Sequence, residues 1–399
     1  MTNLRYPLLF YLIFLKSLNT VWSVILLQAT QATAKAKVLE NLPNLPLFIQ
    51  EYFQKKIEED YSSVTLFEYQ KEIKRFLEWL IREGYSQANT IQAITVADLE
   101  KMSEKDLSMY KRELQNRKKN LAADKRKLYE ESGDELPGLS KSTIKRSLTS
   151  LRSLFNFLAT TTNEETNLPY LSSNQMQGVK NVNDSVKMSV RTKKMEPMIF
   201  FDNEGLDFLD FIENRYEKLL ESRQAIAFFE KNKVRDLAII GLFLGTGIRL
   251  SELVNINLRD LELTDESLSI RVIRKGGQMD WVTVASPMVS YITDYLTIRK
   301  TTYQVTENVQ PLFLSTYGGA AKRLKANAIE KMLDKYSSAY NKRTTPHKLR
   351  HSVGTQIYRK TGSIVTTAQL LGQNNTNSTS IYTHIGAKEQ VNIMNHLYD

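Results

Sequence analysis

The chain has 399 residues, 42% hydrophobic and 25% charged, enough apolar mass for packed cores and for about two or three domains. Lys and Arg outnumber Asp and Glu by 54 to 44, and the resulting +10 favours a polyanionic partner. Cysteine is absent, which excludes disulfides, cysteine-ligated zinc and thiol nucleophiles and fits a reducing compartment.

The first feature in chain order is an apolar run, YPLLFYLIFLKSLNTVWSVILLQ at 6–28, followed by ATQATAKAK. It resembles the hydrophobic region and cleavage site of a signal peptide. Lys16, Ser17, Asn19 and Thr20 interrupt it and argue against a membrane-spanning helix. Residues 1–36 are read as an extension outside the fold, arising from a start codon assigned upstream of the native one. Export and an amphipathic appendage are the alternatives.

From about residue 40 the pattern is helical. Thr65 and Glu68 form a possible capping box. Leu66, Tyr69, Ile73, Phe76, Leu77, Leu80 and Ile81 then recur at helical spacing before Gly84. A second helix is predicted from Val96 to about Arg117, followed by a charged, loop-like insertion, RKKNLAADKRKLYEESGDELPG. The stretch 140–159 places Ile144, Leu148, Leu151, Phe155 and Leu158 on one helix face. Lys141, Lys145 and Arg152 line its edge, as a solvated surface or as DNA-binding cations. Residues 173–197 are polar and basic and are read as a linker between a helical domain, 37–172, and a second domain, 198–399. In the second, KVRDLAIIGLFLGTGIRLSELVNI reads as a buried helix, a glycine turn and a helix starting near Arg249. SLSIRVIRKGGQMDWVTVA reads as a β-hairpin with Lys275 in its turn.

All four histidines lie at or after position 347, two of them in TPHKLRHS. Thr345 and Pro346 suit the start of a helix, on which His347 and Arg350 are neighbours able to meet one ligand. His347 and His351 mimic a zinc-binding H-E-x-x-H pattern, but Lys348 stands where the general base belongs, and two cations flank the would-be metal. A phosphate fits this helix start better than a metal.

Arg249 in GTGIRLSEL, Lys275 in RKGG, His347 and Arg350 in HKLRH, and Tyr382 in YTH follow the order of the tyrosine recombinase (phage-integrase) family. The resemblance spans about residues 40–399 and is nearest the Xer type that works without a second recombinase. It implies a two-domain, mostly α fold: a helical core-binding domain, and a mixed α/β catalytic domain with a small antiparallel sheet. It also implies cutting and rejoining of DNA through a 3′-phosphotyrosyl intermediate on Tyr382. Arg249 and Arg350 would stabilise the phosphate, His347 would take the tyrosine proton, Lys275 would protonate the leaving oxygen, and Glu252 would orient Arg249.

No cofactor or metal is implied. The implied partners are double-stranded DNA with a paired inverted-repeat site, a homotetramer on two such sites, and a DNA translocase of the division machinery. Location would be cytoplasmic, with no membrane association. Resolution of chromosome dimers is the expected role; a mobile-element integrase, or a DNA-binding protein with impaired catalysis, is the alternative. One position departs from the family: Gln373, nine residues before Tyr382, stands where His or Trp is usual. Its amide can still donate to a phosphate, without charge.

Overall fold

The computed structural model describes residues 34–163, 166–182, 188–274, 277–305, 309–373 and Tyr382. The expected extension therefore lies outside the described residues up to position 33. Among the described residues no helix is long and apolar enough to cross a membrane. The chain divides into two compact units, one holding the described residues up to 182 and the other those from 188.

The first unit is built from helices. A helix at 34–41 (α1) leads into Leu47–Glu58 (α2) and Ser63–Arg82 (α3). On α3 the predicted stripe is the buried face: Leu66, Ile73, Phe76, Leu77 and Leu80 are enclosed, with Tyr69 and Ile81 packed at its border. Each such Leu or Phe contributes roughly 1.5–3 kcal/mol by leaving water. The capping box expected at Thr65 does not form, because the helix already begins at Ser63 and Glu68 instead accepts from Lys71 at 2.8 Å.

The helix expected from Val96 to Arg117 is two, Val96–Glu100 (α4) and Glu104–Asn116 (α5). Ser103 restarts it. Its hydroxyl accepts from the Asp106 N–H while the Asp106 carboxylate accepts from the Ser103 N–H at 2.9 Å. The charged insertion contains a helix, Ala123–Ser132 (α6), that buries no residue; it is rich in Lys, Arg and Glu, which favour helix without needing a core. Lys141–Thr160 (α7) starts at its cap Ser140 and buries the predicted face.

The linker is shorter than the sequence suggested. Met176 and Val179 are buried in the first unit's core, and Arg152 on α7 ties that segment down through the Val179 carbonyl at 2.6 Å and Asn181 at 2.5 Å. Two well-spaced apolar side chains were enough to dock a stretch that is otherwise polar. The upper part of the expected linker carries a short helix, Met188–Met195 (α8).

In the second unit Glu204–Asp210 (α9) precedes Arg223–Thr246 (α10), whose residues 237–243 are buried on all sides. A helix apolar all round belongs at the centre of a core. It ends at Gly247, where φ is +63° and a Cβ would lie 2.8 Å from Leu371 and 3.1 Å from Val353. Backbone handedness and space both demand glycine there. Leu250–Asn255 (α11) follows, then the antiparallel strands Leu261–Leu263 (β1), Leu268–Ile273 (β2) and Met279–Thr283 (β3), in that spatial order. Leu268, Ile270 and Val272 alternate into the core. Beyond Ser286–Thr302 (α12) and the short pair Leu314–Ser315 (β4) and Lys322–Arg323 (β5) come Ala326–Ala339 (α13), Pro346–Thr361 (α14) and Ile364–Leu370 (α15). The chain is thus mostly helical with a small antiparallel sheet, as expected.

Candidate active site

Two helix beginnings in the second unit build the site. At the first, Arg249 is the residue before α11. Glu252, one turn on and 4% exposed, accepts from the Arg249 backbone N–H at 2.8 Å and from its Nη1 at 2.6 Å. The carboxylate therefore caps the helix and holds the arginine's root, while 35% of the Arg249 side chain stays exposed.

At the second, Thr345 caps α14 by accepting from the Lys348 N–H at 3.3 Å, with Pro346 in the first turn. Arg350 is buried, and its two terminal nitrogens donate to the carbonyls of Gly247 and Leu371, each at 2.7 Å. Burial, and then the nearby Arg249, lower its pKa to about 10. It joins the end of α10 to the end of α15.

His347 and His351, one turn apart on α14, face each other with 3.2 Å between their Nε2 atoms. Burial pushes the His351 imidazole toward the neutral form, and partial desolvation does the same at the more exposed His347, aided there by Arg350, Lys348 and Arg249. At His351 the neighbouring His347, Lys348 and Arg350 add to it and bring the pKa to about 3. A neutral imidazole can accept a proton near pH 7, as a general base must. Among the described residues no group of three His, Asp or Glu is placed to hold a metal.

Tyr382 is 1% exposed and packs with Ile199, Val353 and Leu371. The imidazole against its ring is that of His351, 5.6 Å between centroids. Its hydroxyl end lies over Gly354 on α14: a Cβ there would come within 2.4 Å of Cζ and 2.7 Å of the hydroxyl oxygen. Burial raises the phenol's pKa, opposed by Arg350, by the Gln373 amide and by Arg249. Among the described residues no hydrogen bond of full geometry reaches the hydroxyl.

Arg249, Glu252, Arg350, His347, Gln373 and Tyr382 thus converge in one unit. Lys275 and the histidines at 384 and 396 lie outside the described residues. Lys141 and Lys145 belong to the first unit and are exposed on α7. Arg152, expected beside them as a DNA contact, donates to the Val179 carbonyl and to Asn181. Sequence reasoning gave no role to His351, although its i, i+4 spacing from His347 was legible. It also missed Gly354, for which the sequence carries no signal.

The phage integrase family model matches residues 211–389. A tyrosine recombinase XerS of Streptococcus thermophilus is 38% identical over 361 residues, 90% of this chain and 98% of that protein. One from Streptococcus agalactiae is 39% identical over 353 residues, 88% of this chain and 96% of that protein. Among solved structures, a XerH site-specific recombinase bound to palindromic difH substrate, a post-cleavage complex, matches with TM-score 0.60 at 20% identity, covering 92% of this chain and 90% of that one. The Tn1549 transposon integrase in complex with circular intermediate DNA matches with TM-score 0.52 at 16% identity, covering 84% and 95%.

Proposed function

The chain belongs to the phage integrase family of tyrosine recombinases, and from that premise we propose that Tyr382 is the nucleophile that cuts and rejoins double-stranded DNA. The observation that carries this reading is the convergence of two arginines and a neutral histidine pair on one buried tyrosine. The Tyr382 oxygen attacks phosphorus and forms the phosphotyrosyl bond as the phosphorus–5′-oxygen bond breaks. His347 takes the phenolic proton, and Lys275 gives one to the departing 5′-oxygen. Arg249, with Glu252 behind it, and Arg350 stabilise the charge that builds on the non-bridging oxygens. Gln373 adds a neutral donor. Because the phosphodiester's energy is kept in the phosphotyrosine, resealing needs no cofactor.

Lys141 and Lys145 are surface cations for the DNA backbone in the first unit. The near full-length similarity to XerS proteins supports a cytoplasmic enzyme that resolves chromosome dimers at an inverted-repeat site. It would act as a homotetramer on two sites, with a DNA translocase of the division machinery as a partner. A second reading, DNA binding with impaired chemistry, draws on the burial of Tyr382, whose ring must leave its packing to reach a phosphate.

A nicked suicide substrate decides between them. Wild type is expected to form a covalent protein–DNA adduct in EDTA, and Tyr382→Phe to bind DNA equally and form none. An adduct with the Phe variant, or an absolute Mg²⁺ requirement, overturns the assignment. Absence of any adduct with wild type establishes the second reading.

A further inference from the structure

Arg274 is 7% exposed, and none of the roles above uses it. It forms the base of the β2–β3 turn: its N–H donates to the Gln278 carbonyl at 2.7 Å, and its carbonyl accepts from Gly277 at 3.1 Å. Lys275 is the next residue. The guanidinium donates through Nη1 to Glu252 at 3.0 Å and through Nε to Asp280 at 3.0 Å. The Glu252 oxygen that accepts from it, Oε2, also caps the Arg249 backbone, while the other, Oε1, holds Arg249 Nη1. The guanidinium also lies against Gly372, where a Cβ would sit 2.3 Å from Nε, 2.4 Å from Cζ and 2.6 Å from Nη2. A side chain at 372 would take the space the guanidinium fills.

We propose that Arg274 is a positioning residue for Arg249, acting through Glu252, and that position 372 is glycine in order to seat it. The inference rests on the phosphate-binding reading of Arg249. A buried carboxylate flanked by a single cation is drawn onto that cation. With Arg274 behind it, Glu252 is balanced from both sides and meets Arg249 at its root, leaving the rest of that side chain for the phosphate. Without Arg274 the carboxylate loses a donor and a balancing charge in a site that water reaches poorly. It then turns to Arg249 and competes with the DNA. Lysine cannot replace Arg274, because one ammonium cannot reproduce a planar fork that serves Glu252 and Asp280 while fitting against Gly372.

Single-turnover cleavage of the suicide substrate by the full chain tests this. Arg274→Lys and Arg274→Leu are expected to cut about ten- to a hundredfold more slowly with DNA affinity kept, the usual scale for a displaced catalytic group. Gly372→Ala is expected to do the same through the overlap. The control is Gly362→Ala: Gly362 has φ +63°, close to the +61° of Gly372, but nothing within 4 Å, and the variant should cut like wild type. A purely structural role would not reproduce two further results. On a 5′-bridging phosphorothiolate, whose thiolate leaves without a proton, Lys275→Ala should recover while the Arg274 variants stay slow. The double variant Arg249→Lys/Arg274→Leu should fall no further than Arg249→Lys alone.

Arg274→Lys and Gly372→Ala cutting within about twofold of wild type overturns the proposal. So does recovery of Arg274→Leu on the phosphorothiolate, or losses that multiply in the double variant. A wild type that forms no adduct defeats the recombinase reading itself and takes this inference with it; an active wild type with unaffected variants defeats the inference alone.

Discussion

At the start of α11, Arg249 leans on one side chain, Glu252, and keeps 35% of its own side chain exposed. One turn into α14, Arg350 is 3% exposed and donates to two backbone carbonyls, those of Gly247 and Leu371. The sequence suggests the same task for both. The first arginine is attached to the fold through a replaceable carboxylate, so its chemistry is separable from folding. The second closes the ends of two helices, so whatever it gives to a phosphate is coupled to the stability of the whole unit.

The largest expected effects test that contrast directly. Arg249→Ala should lower cleavage by about 10²–10³, the scale for removing one well-aimed donor, and lower the melting temperature less than Arg350→Ala, because Glu252 keeps Arg274 and the backbone N–H of residue 249 as donors. Arg350→Ala should also lower cleavage, and in addition it leaves two buried carbonyls without their donors. Each orphaned buried group costs about 1–3 kcal/mol, so a fall of about 5–10 °C in melting temperature is expected for a unit of this size. Equal melting of the two variants by calorimetry would erase the distinction.

The same contrast explains what was legible in the sequence. Periodicity found α3, the buried face of α7, the central helix α10 and the β2–β3 hairpin, because those elements bury one consistent face. It missed the break at Ser103 and the docking of Met176 and Val179, since caps and single anchors leave little periodic trace. Motif order brought Arg249, His347, Arg350 and Tyr382 together, as side chains at helix starts are placed by a few local residues. The attachment of Arg350 to two carbonyls, and the glycines at 354 and 372 that admit Tyr382 and Arg274, depend on segments far apart in the chain. No local pattern encodes such approaches.

Gln373 belongs with the second region, since it follows the carbonyl that anchors Arg350 by two positions, and it opposes the rise in the Tyr382 pKa. If its amide also donates to the phosphate, Gln373→Ala should cut about tenfold more slowly, at the low end for such donors because it carries no charge. Gln373→His should preserve or raise the rate. Equal single-turnover rates for Gln, Ala and His would place the residue outside the reaction and leave the arginines to handle the phosphate.

The smallest expected effect separates the two helix starts by pH. His351 lies among His347, Lys348 and Arg350 and against the Tyr382 ring, and its pKa falls from 6.5 to about 3 on folding. Between those values the unfolded chain binds a proton that the folded chain refuses. The group's contribution is therefore full above about pH 6.5 and is lost progressively as the pH drops toward 3. His347, also lowered, adds to the same trend. Melting temperature should accordingly fall by a few degrees from pH 7.5 to pH 5, and His351→Gln should flatten that slope by removing the proton acceptor. Arg249→Ala should flatten it much less, because Arg249 acts only on His347, behind burial, Arg350 and Lys348, and not on His351. A His351→Gln variant with the full wild-type pH dependence would mean that His351 binds its proton equally in the folded and unfolded chain, so that its packing among His347, Lys348 and Arg350 does not hold it neutral.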